Sequence, residues 1–113
     1  MSMEPRDDLL SLRDSLREFA AARDWRQYHT PKNLAMALIV EAAELVEQFQ
    51  WDTPEQSGSL SPEKAAAVRD EVADVLIYLI EIADVLNIDL AAAASAKIAK
   101  NAVKYPAIRV VAE

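Results

Sequence analysis

The acids of the stretch LIVEAAELVEQFQW, residues Leu38–Trp51, recur at every third position within a run that otherwise has apolar helical spacing. On a helical wheel of about 100° per residue, Glu41 borders the apolar arc and Glu44 flanks it. Glu47 lies farther round and is expected to be solvated. The spacing therefore predicts a helix that carries two carboxylates on the margin of its buried face.

A second segment repeats this arrangement, with Glu71 at the edge of another apolar arc and Asp74 about 60° beyond it. If the two helices pack side by side, Glu41, Glu44, Glu71 and Asp74 come together. Carboxylates without neutralisation repel one another, so either the helices direct them into water or cations lie between them. With neither Cys nor a neighbouring His, the set favours a hard, oxygen-preferring ion, and Mg²⁺ fits.

A basic stripe occurs in the segment SAKIAKNAVKYP, where Lys97, Lys100, Asn101 and Lys104 fall within about 100° of one another. One interpretation is a solvated stripe whose last turn suits the helix dipole. The other is a set of donors for phosphate oxygens. In an acidic protein, such lysines facing a metal site would suit a nucleoside polyphosphate.

Aromatic side chains flank the first acidic segment, with Trp25, Tyr28 and His29 before it and Trp51 at its end. A nucleobase stacks favourably on such rings, although core or interface packing explains the tryptophans equally well. A lone His is more often a structural hydrogen-bonding residue than a catalyst. The sequence shows no Ser–His–Asp or Cys–His arrangement.

The amino-acid composition excludes several classes of protein and several kinds of metal site. The chain has 113 residues, 52% of them hydrophobic, with one Gly, no Cys and a net charge of −7. An apolar fraction this high excludes a disordered tail, and the acidity disfavours binding to polymeric nucleic acid or to an anionic membrane surface. The single His excludes multi-His zinc sites and the paired Glu-x-x-His pattern of di-iron bundles.

No apolar run reaches the length of about 18 residues that a membrane span needs. The start, MSMEPRDDLL, lacks the cationic and apolar regions of a signal peptide. A cytoplasmic location is therefore expected.

Four helices are predicted, separated by the break DWRQYH, the loop DTPEQSGSLS and the turn NID. Thr30, Ser61 and Asp89 are the expected N-caps. The predicted helices run from Pro5 to Asp24, from Pro31 to about Trp51, from Pro62 to about Leu86, and from Leu90 to about Lys104. The tail AIRVVAE is left unassigned.

These elements predict one all-α domain over residues 1–113, built as a four-helix bundle. On the third predicted helix the apolar stripe comprises Val68, Val72, Val75, Leu79, Ile82 and Leu86. Ile77 and Ile80 lie away from that stripe. This surplus predicts contact with another subunit.

The combined motifs resemble the MazG-like all-alpha nucleoside triphosphate pyrophosphatases, within them the dCTP pyrophosphatase branch. The resemblance rests on Glu41-x-x-Glu44 followed by Glu71-x-x-Asp74, and on the stretches RDW, HTPKN, FQW and KIAKNAVKYP. It covers about residues 19–106. The Lys100 position and the tail have no clear counterpart in the family pattern, and the loop after Trp51 gives no information on the substrate.

The resemblance implies Mg²⁺-dependent hydrolysis of a nucleoside triphosphate to the monophosphate and pyrophosphate, with dCTP or a related pyrimidine nucleotide as substrate. It implies that Glu41, Glu44, Glu71 and Asp74 are the catalytic metal ligands. Lys97 and Lys104 would hold the phosphate chain, and Asn101 would lie in the nucleotide site. The base and sugar pocket would be lined by Trp25, His29 and Trp51. The resemblance also implies a homo-oligomer, a dimer or a tetramer, with sites often shared between subunits.

The alternative is a non-catalytic helical module for oligomerisation or partner binding. It explains the apolar periodicity equally well, but it does not explain why acids occupy the same marginal position on two helices.

Overall fold

The computed structural model describes residues 8–108. Within that range the chain forms five α-helices and no strand, so the all-helical class predicted from the sequence is confirmed. The predicted helix start at Pro5 and most of the unassigned tail lie outside the described residues. The helices are α1 (Asp8–Ala22), α2 (Pro31–Glu47), α3 (Pro54–Ser57), α4 (Pro62–Val85) and α5 (Leu90–Lys104), with a 3-10 turn at Arg26–Tyr28.

The three predicted N-caps are confirmed. Each cap side chain accepts a hydrogen bond from the backbone N–H three residues later, which satisfies one of the unpaired donors of a helix N-terminus. The pairs are Thr30 with Asn33 at 3.1 Å, Ser61 with Lys64 at 3.2 Å, and Asp89 with Ala92 at 3.0 Å.

Helices α1 and α4 are each followed, two residues after their last residue, by a residue with left-handed backbone: Asp24 with φ 56° and Asn87 with φ 55°. Asp and Asn tolerate this conformation better than most residues. The next N–H then turns back: Trp25 donates to the carbonyl of Ala20 at 3.0 Å, and the N–H of Ile88 behaves likewise at the end of α4. Both helices therefore stop abruptly.

Helix α2 ends at Glu47, earlier than the predicted Trp51. Beyond it, the backbone N–H groups of Gln48 and Phe49 bond to carbonyls three residues back, so the chain tightens into turns. Thr53 precedes a proline and is extended, as such residues prefer. The predicted loop also contains α3, whose Thr53–Gln56 capping box was a signal in the sequence.

Helix α4, with 24 residues and a length of about 36 Å, is the helix on which both α1 and α2 pack. Helix α1 packs along its C-terminal part, where Arg17 pairs with Asp84. Helix α2 packs along most of α4, because Asp52 just beyond α2 pairs with Lys64 in the first turn of α4 and His29 just before α2 lies near Glu81. Both shorter helices therefore run antiparallel to α4.

This arrangement corrects the predicted apolar stripe of α4. Ile80 and Ala83 are buried beneath α1, whereas Val72, Leu79 and Leu86 are exposed. The expectation that Ile80 contacts another subunit is wrong, because α1 and α2 cover different faces of α4 along its length and one stripe cannot serve both.

Helix α5 projects from the other helices, and every residue from Ala91 to Ile108 is exposed. A single chain therefore does not close the predicted four-helix bundle. Among residues 8–108, no helix has the length and apolarity needed to cross a membrane.

Candidate metal centre between α2 and α4

Three of the predicted acids come together where α2 crosses the N-terminal half of α4. Glu41 and Glu44 lie on α2 and Glu71 lies on α4, and all three are half-buried. One carboxylate oxygen from each lies within 4.8 Å of the other two. Glu47 is exposed, as the helical wheel predicted. The cluster forms because successive turns of each helix bring its acids to the edge of the contact.

Two oxygens in this cluster have no hydrogen-bond partner. They are Oε2 of Glu41 and Oε2 of Glu71, and both are shielded from solvent. A buried carboxylate oxygen without a donor is unfavourable, so native proteins almost always supply a proton, a donor or a cation. The two oxygens come from different helices. A single group placed between them would therefore satisfy both.

The electrostatics of the cluster point in the same direction. The pKa of Glu41 is raised to about 6, chiefly by burial and then by the adjacent Glu44 carboxyl and the charges of Asp74 and Glu71. Burial also raises the pKa of Glu71, with smaller contributions from Glu44, Asp74 and Asp70. The folded chain therefore concentrates negative charge where it is costly, and positive charge is favoured there.

Asp74, the fourth predicted acid, is half-buried on α4 and close enough for its charge to raise the pKa of both Glu41 and Glu71. It is not one of the three residues whose oxygens converge. Tyr78, which the sequence reasoning passed over as a site residue, shares this environment: burial raises its pKa, followed by the charges of Glu81, Glu41 and Asp74. Its position one turn after Asp74 was the signal.

The donor set fits a divalent cation that prefers oxygen. Carboxylates alone, without His or Cys, suit Mg²⁺, which binds few protein groups and keeps several waters. Glu41, Glu44 and Glu71 would hold such an ion, and two of these residues have an oxygen without a partner.

The predicted aromatic residues occupy separate places. Trp25 packs edge-on against Phe19, with ring centroids 5.6 Å apart, and remains half-exposed. Trp51 is 88% exposed in the turn after α2. His29 is half-buried and its charge opposes the rise in the pKa of Glu81 caused by burial, so it lies near the C-terminal part of α4. One chain therefore does not assemble these side chains into a closed pocket.

The predicted phosphate-binding residues of α5 are also separate from the acids. Lys97, Asn101 and Lys104 are exposed, and Lys104 Nζ lies 5.3 Å from the ring centroid of Tyr105. Within residues 8–108, no ion pair joins a lysine of α5 to a carboxylate. The structure of one chain thus presents the acids and the basic stripe as two distinct surfaces.

The fold and the site together define a class: an all-helical protein with a carboxylate centre between antiparallel helices. The sequence profile of the MazG-like family matches residues 36–110. The chain belongs to the MazG-like family, which confirms the resemblance noted in the sequence.

Comparison with individual proteins supports the same family. dCTP pyrophosphatase 1 of Homo sapiens is 44% identical over 108 residues, which cover 94% of this chain and 64% of that protein. For dCTP pyrophosphatase 1 of Rattus norvegicus, the identity is 41% over 93% of this chain and 63% of that protein. The chain therefore spans a little under two thirds of the length of these curated relatives. A crystal structure of a pyrophosphatase from Archaeoglobus fulgidus matches with a TM-score of 0.85 and 40% identity, covering 95% of this chain and 100% of that one.

Proposed function

We propose that the chain hydrolyses a nucleoside triphosphate to the monophosphate and pyrophosphate, using Mg²⁺ held by Glu41, Glu44, Glu71 and Asp74. The observation that carries the proposal is the pair of buried, unpartnered oxygens of Glu41 and Glu71 within a cluster of three carboxylates. The relatives named dCTP pyrophosphatase 1 and the pyrophosphatase structure support the reaction class.

The reaction needs charge neutralisation and positioning more than it needs a protein nucleophile. When bound, Mg²⁺ neutralises phosphate charge and lowers the pKa of a water. The carboxylates of α2 and α4 fix the centre, and Glu44 is the residue we propose to orient the attacking water. The water attacks the α-phosphorus, the bond to the bridging oxygen breaks, and Lys97 and Lys104 neutralise the charge of the departing pyrophosphate.

The substrate we propose is dCTP or a related pyrimidine nucleotide. Trp25, His29 and Trp51 would line the base and sugar pocket, with Asn101 in the nucleotide site. The relatives named dCTP pyrophosphatase 1 support this choice of substrate.

A nucleotide panel tests the reaction and the substrate together. Each of the common deoxy- and ribonucleoside triphosphates is incubated with the protein in Mg²⁺ or in chelator, and products are separated by chromatography. We expect dCMP and pyrophosphate from dCTP, in Mg²⁺ alone. A purine preference would overturn the substrate but keep the reaction. Absence of pyrophosphate from every nucleotide would overturn the reaction.

We also propose that the active form is a homo-oligomer, a dimer or a tetramer, in which α5 of one copy faces the acid centre of another. Large apolar side chains left exposed by one chain support this. They include Met36, Ile39, Val40 and Val46 on α2, Val72, Leu76 and Leu79 on α4, and Ile98 and Val103 on α5.

Subunit complementation tests the shared site. Glu41→Gln and Lys104→Ala variants, each inactive alone, are unfolded together and refolded. In a randomly reassorted dimer with shared sites, about a quarter of the sites regain both groups. Light scattering gives the oligomer number. No recovery in a mixed oligomer would show that each site is built from one chain.

The same exposed apolar faces favour a second candidate, a non-catalytic module for oligomerisation or partner binding. That candidate leaves the unpartnered oxygens of Glu41 and Glu71 without a role. One domain over residues 1–113 and a cytoplasmic location stay predictions.

A further inference from the structure

Trp51 lies in a hydrogen-bonded turn whose two ends are both fixed. The N–H of Asp52 donates to the carbonyl of Phe49 at 2.9 Å, so Gln50 and Trp51 are the central residues of the turn. Phe49 is half-buried, whereas the Trp51 ring is 88% exposed. The Trp51 indole therefore faces solvent, and the backbone that carries it is held by other residues.

Lys64 holds both ends of this turn. Its ammonium group donates to Oδ2 of Asp52 at 2.8 Å and lies 5.9 Å from the ring centroid of Phe49. The backbone N–H of Lys64 is in turn bonded to the N-cap Ser61. The contacts of Lys64 with Asp52 and Phe49 thus connect the Trp51 turn to the first turn of α4, the helix that carries Glu71.

The pair is shielded more than ordinary surface ion pairs. The Asp52 side chain is 19% exposed and that of Lys64 is 31% exposed. A further constraint follows directly, because Thr53 forms a capping box with Gln56 and so fixes the chain after Asp52. The backbone on both sides of the turn has little conformational freedom. The backbone of Trp51 is therefore held in place as well.

We infer that Asp52 and Lys64 are positioning residues for Trp51, and that they set the affinity for the nucleobase. The inference rests on the proposed function, in which Trp51 lines the base pocket. A turn whose backbone is ordered before binding loses less conformational entropy when a base stacks on the aromatic ring that the turn carries. Neither Asp52 nor Lys64 contacts the reacting atoms in this account, so their loss affects binding rather than turnover.

The experiment compares Asp52→Asn and Lys64→Met with the wild type, using dCTP and Mg²⁺. We expect KM to rise about fivefold with kcat nearly unchanged, since the variants loosen ground-state binding. Lys64→Arg keeps the charge and should keep KM close to wild type. In a Trp51→Ala background, Asp52→Asn should have no further effect on KM, because the positioned ring is gone.

A matched control separates positioning from general stability. Asp84→Asn breaks the ion pair between α1 and α4, at the opposite end of α4. It should lower the melting temperature without raising KM. Should Asp52→Asn fail to fold, Lys64→Met and Lys64→Arg carry the comparison, because Lys64 is in a helix whose cap is unchanged.

A readout that needs no turnover completes the design. In a Trp25→Phe background, the fluorescence anisotropy of Trp51 should fall when Asp52 is changed to Asn. Unchanged anisotropy, an unchanged KM, or an equal rise in KM without Trp51 would overturn the positioning role. A wild-type protein that releases no pyrophosphate from any nucleotide would instead overturn the proposed function, and with it the claim about base affinity.

Discussion

Glu41 on α2 and Glu71 on α4 each bury an Oε2 atom that no donor reaches, and both residues belong to one cluster of converging carboxylates. Two helices are thus packed so that charges of the same sign meet at their contact. Such an arrangement destabilises an isolated fold unless a positive group lies between the acids. The packing of Glu41 against Glu71 is best explained by a cation that binds between the two helices.

Removing one charge from this centre should separate stability from activity. Glu41→Gln and Glu71→Gln keep the side-chain size, so each fold should survive, and the metal-free melting temperature should rise. Pyrophosphate release should fall by about two orders of magnitude or more, because a ligand matters at least as much as its supporting residues. The matched control is Glu47→Gln, on the exposed face of α2. Wild-type turnover in Glu41→Gln would remove that residue from the site.

Mg²⁺ should stabilise the wild type by binding the folded state. An ion at about 100 times its dissociation constant stabilises a protein by about 2.7 kcal/mol. Scanning calorimetry in Mg²⁺ and in chelator measures the difference in melting temperature. The difference should shrink sharply in Glu71→Gln and persist in Glu47→Gln. Equal Mg²⁺ effects in all three proteins would place the ion elsewhere.

The pH dependence of the metal-free protein follows from Glu41. Its pKa is about 6 in the folded chain against an ordinary value of 4.5, so the folded state holds the proton more tightly than the unfolded state. The free energy of unfolding should therefore increase as pH falls from 7 towards 4.5. Denaturant melts in chelator measure this, and Glu41→Gln should reduce the slope. A slope unaffected by the substitution would contradict the assignment to Glu41.

The pH dependence expected from the Arg17–Asp84 pair has the opposite sign, because this pair loses stability as pH falls. Arg17 Nε donates to Asp84 Oδ2 at 2.9 Å, and this hydrogen bond lowers the pKa of Asp84 below its ordinary 3.8. The pair therefore stabilises the α1–α4 contact above pH 3.8, and that stability is lost as pH falls through the lowered pKa. Asp84→Asn should reduce the melting temperature by a few degrees at neutral pH. Thermal melts at pH 7 and pH 3 check this, and equal losses at both would refute it.

The acid pairs and the caps were predictable from sequence because both depend on local spacing. A helix fixes the azimuth of Glu41 and Glu44 relative to Leu34, and Leu34 is buried as that geometry requires. A cap such as Thr30 acts on an N–H only three residues away. Neither inference needs knowledge of distant contacts.

The buried face of α4 was not predictable in the same way. Ile80 and Ala83 are buried where α1 lies against the C-terminal half of α4, on a face other than the one that carries the predicted stripe. Hydrophobic periodicity alone assigns one stripe to a helix and does not reveal that a second helix covers another face. The turn at Trp51 was likewise hidden, because it depends on Lys64, which is 12 residues from Asp52.

Anomalous diffraction from crystals grown with Mn²⁺ in place of Mg²⁺ tests the central claim most directly. The account predicts an anomalous peak between α2 and α4, within about 2.3 Å of carboxylate oxygens from Glu41, Glu44 and Glu71. Crystals of Glu41→Gln should lose or weaken it. If a Mn²⁺-activated enzyme instead showed its metal away from these carboxylates, the account would be contradicted.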